Sequence, residues 1–172
     1  IANRSNERSV IAAIYNRLAL DVASAEITHA RVNENGKLID RISSNLDECL
    51  NLAANIDQTG RSFIQDVAMS LFEEGAIAIV PVDTTTKITA DSNVLDILSM
   101  RVGTIVAWYP RHVKVKVYND IDGKFHELII AKEKTAIVIN PFYSVMNEEN
   151  STLKRLVRKL NILDAIDEQS GA

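Results

Sequence analysis

Apolar residues recur along this chain at two distinct periods, and the switches between them predict its elements. Val10, Ile11, Ile14, Leu18 and Val22 fall at helical spacing. They predict an amphipathic helix of about 16 to 18 residues ending near Ser24. Ser5 or Asn6 is the expected cap, with Glu7 in the first turn. Ala12, Ala13, Ala19 and Ala23 flank the stripe and would let a neighbour approach closely. Residues 26–33 read as a strand, Asn35-Gly36 as a tight turn and residues 37–42 as a short returning strand. A short helix follows, capped by Ser44 or Asn45, with Asp47 and Glu48 in its first turn and its end near Asn55.

Thr59 is the expected cap of a third helix, whose apolar face carries Phe63, Ile64, Val67, Ala68, Leu71 and Phe72. Gly75 stands where a C-cap glycine belongs. The run Ala76-Ile77-Ala78-Ile79-Val80, closed by Pro81, reads as a central buried strand covered by that helix. Residues 83–93 read as a polar loop with room for an edge strand at 87–89, and residues 94–100 as a segment packing on the sheet. Residues 104–109 form a strand that Pro110 stops. Val113, Val115 and Val117 then alternate with Lys114, Lys116 and Tyr118, and Asp120-Ile121-Asp122-Gly123 turns the chain into residues 125–131. In that returning strand His126 and Leu128 share one face, while Phe125, Glu127 and Ile129 share the other. Residues 135–139 make a further strand before Asn140-Pro141. A last helix is expected from Asn150 or Ser151, with Leu153, Leu156, Val157, Leu160 and Leu163 as its stripe and Lys154, Arg155, Arg158 and Lys159 opposite. Together these elements define an α+β fold: a mixed or antiparallel sheet packed with amphipathic helices.

A chain of 172 residues suffices for one hydrophobic core and is short for two. Apolar content of 47% and charged content of 24% argue against disorder along its whole length. No stretch approaches the roughly 18 consecutive apolar residues of a membrane span, so no membrane partner is expected. Nineteen basic and 23 acidic residues leave a net charge of −4. That balance argues against a dedicated grip on nucleic acid, while leaving room for a wall past which DNA moves through weak, salt-sensitive, sequence-blind contacts. Cys49 is the single cysteine and reads as a small buried hydrophobe on the short helix. It has no partner for an intrachain disulfide, which suits a reducing cytosol. The chain opens on Ile1 without an apolar signal run and reads as a piece of a longer protein.

Candidate chemistry is sparse. His29, His112 and His126 lie on separate strands or strand edges without metal-ligand spacing. Asp120 and Asp122 resemble part of a calcium loop, but Gly123 leads straight into a strand, so the turn reading prevails. No glycine-rich phosphate loop and no nucleophile elbow occur. The adjacent acids Glu73-Glu74 and Glu148-Glu149 read as solvated. No catalytic, cofactor-binding or metal-binding residue is therefore assigned, no cofactor is expected, and the chain is read as a non-enzyme. Arg111, Lys114 and Lys116, like the basic face of the last helix, read either as solvated or as a charged contact with a subunit or polyanion.

Several short stretches, in order, are similar to the portal proteins of long-tailed bacteriophages and prophages. The first is Asn55-Ile56-Asp57-Gln58-Thr59, ahead of a helix. The second is Phe72-Glu73-Glu74-Gly75-Ala76-Ile77-Ala78, which resembles that family's helix-to-strand junction, with Ile77 departing from its small-then-aromatic pattern. The third is Trp108-Tyr109-Pro110-Arg111-His112-Val113, a strand, a proline and a valine strand. Asp122-Gly123 then falls in the expected hairpin, and the helix from Ser151 resembles the approach to the portal stem. The resemblance implies a wing-like α+β domain over residues 1–150 and the start of a stem-like helix over 151–172. It also implies a structural subunit of a ring of about twelve copies at one capsid vertex. DNA would be packaged and ejected through the ring's channel, and the terminase motor, capsid and head–tail connector proteins would be its partners. The ring would be assembled in the bacterial host cytoplasm and carried in the virion. Two other classes stay open at this point: a non-portal adaptor or scaffold domain, and a small enzyme with a dispersed active site.

Overall fold

A computed structural model describes residues 3–89 and 92–141, with side chains described for 9–84 and 96–141. The expected connection at 144–150 and the helix expected from Ser151 lie outside the described residues. Within them the fold is α+β, and its main sheet has five strands, all antiparallel to their neighbours rather than mixed.

Helix α1 spans Asn3–Ala23, so it begins ahead of the expected cap and contains Ser5 and Asn6. Strand β1 is shorter than expected, Ala30–Val32, and pairs with β2, Leu38–Arg41, across a turn where Gly36 has φ 73°. The preceding residues leave the ladder because Ile27 packs into the core and its carbonyl accepts a hydrogen bond from the Asn51 side chain at 2.8 Å. Ser44 caps α2, Asn45–Asn51, by accepting from the Asp47 backbone N–H. This helix stops short of Asn55, because residues 53–59 form their own closed loop.

Helix α3, Gly60–Glu74, has both expected caps: Thr59 accepts from the Ser62 N–H, and Gly75 sits left-handed at φ 79°. Its buried side presents Phe63, Ile64 and Ala68. Strand β3 departs most from expectation. It runs from Ala76 to Thr89, straight through Pro81. The pairing register shifts between Pro81 and Thr84, and such an irregularity accommodates a residue without an N–H. Residues expected to form a loop instead make a long hairpin with β4, Ser92–Trp108, which absorbs both the 94–100 segment and most of the 104–109 strand. Threonine repeats at 84–86 supply the β-branched side chains that favour this extended arm. The middle of the sheet is therefore β4, with β3 as an interior neighbour.

Strands β5, His112–Asn119, and β6, Lys124–Ala131, form the expected hairpin, with Gly123 at φ 67° in its turn. A single 3-10 turn, Lys132–Lys134, leads to β7, Ala136–Ile139, which pairs with β3.

Two apolar clusters lie on the sheet. On the helix side, Phe63, Ile64, Cys49, Ala54 and Ala23 pack with Met100, Ile79 and Val102. The second cluster is made only of strand residues: Ala78, Val80, Val113 and Val115, flanked by Ile105, Trp108, Ile130 and Ile137. A register shift between Ile105 and Ala107 bends β4 within this second cluster. Cys49 is 1% exposed, as a small core residue.

Candidate functional site

The best-defined polar structure is the loop between α2 and α3. Its ends close through an Ala53–Thr59 bridge, and Ala54 N–H donates to the Gln58 carbonyl at 3.0 Å. Asn55 is buried, and its amide donates to the Met100 carbonyl at 2.9 Å and to Gln58 Oε1 at 2.8 Å. Its own Oδ1 accepts from Asp57 N–H at 3.0 Å. The Met100 N–H donates back to Ala54 O at 2.8 Å, so the loop behaves as an extra partner for β4. Gln58 Nε2 reaches Asp66 on α3 at 2.9 Å. Gly60 completes the closure: a Cβ there would sit 2.3 Å from the Leu50 carbonyl oxygen, so no side chain fits without moving backbone.

Asp57, projecting from this loop, meets Arg101 of β4. The Arg101 side chain is 7% exposed, and its Nη2 lies 2.5 Å from Asp57 Oδ2 and 3.7 Å from Asp120 Oδ2 in the β5–β6 turn. Its guanidinium also stands 5.1 Å over the Tyr118 ring. Tyr118 meets Phe125 edge-on at 5.5 Å, and Lys116 lies 5.6 Å over Phe125. One buried cation thus ties the α2–α3 loop, the middle strand and the outer hairpin together. Its Nε is the one buried side-chain polar atom without a partner among the described residues. Nothing in the periodicity singled out Arg101; its signal was a lone cation inside the β-branched run around Val102.

The three histidines do not converge. His29 Nδ1 lies 2.7 Å from the Ser44 hydroxyl, and His29 N–H donates to Asp47 Oδ1 at 3.2 Å, so this residue braces the start of α2. His112 pairs with Ala131 and His126 with Val117, at opposite ends of the same hairpin ladder. His126 Nε2 instead meets Asp122 Oδ2 at 2.7 Å, and that hydrogen bond holds the Asp122 carboxyl below its usual range. Asp122 Oδ1 also accepts from Lys124 N–H, the turn role expected of it. Lys114 and Glu127 pair across β5 and β6, raising the lysine and lowering the carboxyl. Burial, followed by Glu48 and Asp96, pushes the Cys49 thiol up, so it stays protonated and unreactive. Among the described residues no group of three or more His, Cys, Asp or Glu is placed to hold a metal ion.

What the surface offers is apolar. A groove of about 970 Å³ opens at the base of the β3–β4 arm, lined by Leu50, Val80, Ile97, Val117, Leu128 and Ile130 among others. The β6 edge strand leaves Phe125 and Ile129 outside at 63% and 61% exposure. Helix α1 leaves most of its apolar stripe on the surface. It buries Tyr15, Ala19 and Ala23, with Tyr15 stacked on Phe72 at 4.9 Å, while Val10, Ile14, Leu18 and Val22 face outward. Exposed apolar surface of this kind marks interaction sites or ligand-binding grooves. No family model matches the chain, and no curated protein matches it. No described helix is long and apolar enough to cross a membrane.

Proposed function

We propose that this domain is the wing of a phage portal subunit, a structural piece of a ring of about twelve copies. The observation that carries the reading is the ordered run of portal-like stretches from Asn55 to Gly123. Their places in the fold support it. Each occupies a junction: the loop that ties helices to sheet, the Gly75 turn into β3, the Pro110 break between β4 and β5, and the Gly123 turn. Residues of this kind set the angles between layers, which a subunit in a closed ring must hold constant.

On this reading the domain performs no hydrolysis itself. The terminase motor supplies work during packaging, head–tail connector proteins dock later, and duplex DNA passes through the channel without sequence-specific contact. A net charge of −4 suits a surface that DNA slides past. The protein would reside in the virion after assembly in the host cytoplasm. Electron microscopy of the longer subunit containing this domain tests the proposal. It should show closed rings with a central channel; open filaments or particles without rotational symmetry would refute it.

A further inference from the structure

The outward side of α1 is too apolar and too regular to be incidental. Val10, Ile14, Leu18 and Val22 recur every fourth residue and are 57%, 53%, 44% and 48% exposed. They form one continuous ridge of about 18 Å along the helix. A neighbouring side, about 100° round the helix, is already occupied by α3 through Tyr15, Ala19 and Ala23. A helix apolar on two sides requires two neighbours, and the described residues supply one.

We propose that this ridge is the docking surface for the chain's own segment 153–163, which places Leu153, Leu156, Val157, Leu160 and Leu163 at complementary spacing. The position at which the described chain ends favours this occupant. Asn140 N–H donates to the Gly75 carbonyl at 2.8 Å, so the chain leaves β7 beside the C-cap of α3. Phe72, which stacks on Tyr15, lies about 4.5 Å further back along that helix. Helices α1 and α3 run antiparallel, since Ala23 packs near Phe63 and Ile64 while Tyr15 meets Phe72. The Val10–Ile14 end of the ridge therefore lies on the same side as the exit. Residues 142–152 span up to about 36 Å when extended, ample for the crossing. The segment's stripe, about 15 Å long at helical rise, matches the ridge in length. Its basic residues Lys154, Arg155, Arg158 and Lys159 would stay in solvent. The docking is independent of whether the domain belongs to a ring.

Cysteine pairing in the full chain tests the proposal, with Cys49→Ala removing the native thiol. Ile14→Cys is combined in turn with Leu156→Cys, Val157→Cys and Leu160→Cys, and with Arg158→Cys as the outward-facing control. Mild oxidation at low protein concentration should close an intrachain disulfide with at least one stripe position and not with the control. Linked dimers in place of intrachain bonds would assign the ridge to a second copy and overturn the proposal. Equal closure at stripe and control positions, or closure at none, would also overturn it. A second measurement avoids the cysteines. Carbene footprinting of Ile14 and Leu18 should rise severalfold in Leu156→Asp/Leu160→Asp relative to the unaltered chain, and unchanged labelling would contradict docking.

Discussion

Helices α1 and α3 lie against each other and carry similarly spaced apolar stripes, yet they bury opposite kinds of residue. In α3 the large side chains go inward: Phe63 is fully buried, and Ile64 is 9% exposed. In α1 the aliphatic side chains Val10, Ile14, Leu18 and Val22 go outward, and the inward side is Tyr15, Ala19 and Ala23. The difference lies in what each helix rests on. Beneath α3 is a sheet whose Ile79, Met100 and Val102 leave room for bulky residues. Among the described residues α1 rests mainly on another helix, and two helices approach closely where one presents alanine. A helical period therefore reports that a helix has apolar sides, but not which neighbour each side meets.

The sharpest way to break this comparison is paired substitution. Phe63→Ala should cost about 3 to 5 kcal/mol, because it empties the centre of the helix–sheet cluster. Ala19→Leu, which only adds apolar volume, should still destabilise by about 1 to 3 kcal/mol by forcing α1 away from α3. Chemical denaturation of both variants checks the pair. A neutral or stabilising Ala19→Leu would place the packed side of α1 elsewhere.

The same helix layer is held to the sheet by the Asn55 loop, and this tie can be tested separately. Asn55→Ala strips the Met100 carbonyl of its side-chain donor and leaves Asp57 N–H without its acceptor. A loss of about 1 to 3 kcal/mol is expected from that alone. Near-native stability would mean that the loop rides on the fold rather than tying it.

Much of this fold was legible because local chemistry and tertiary context agree. Thr59, Gly75 and Gly123 mark helix and hairpin boundaries through backbone conformation, and each stands where expected. The alternating valines of β5 face one side of the sheet, as their period demands. Pro81 misled because a bulge in β3 removes the usual penalty for proline in a strand. The polar run after it misled because threonine, taken there as a loop residue, also favours strands. Arg101 was silent for a different reason: its partners Asp57, Tyr118 and Asp120 come from three separate stretches that only the fold unites. The apolar stripe of α1 was legible from its period, but which neighbour it meets was not, because a period carries no information about partners.

The smallest effect concerns pH. Asp122 titrates below its usual range because of the His126 hydrogen bond and, secondarily, backbone donors. Its contribution is present above the ordinary carboxylate pKa and is lost as pH falls through the depressed value. An NMR titration should find the Asp122 carboxyl depressed, and His126→Ala should return it toward normal. Overall stability should barely change, because the pair is exposed.

Mass in solution tests the central claim most directly. Light scattering should be recorded over a concentration series for this 172-residue chain and for the longer subunit that the portal reading implies. The account predicts a monomer or weak associate for the former, since a wing alone lacks much of a heterologous ring contact, and a closed ring of about twelve copies for the latter. A longer subunit that stays monomeric at high concentration would contradict the account.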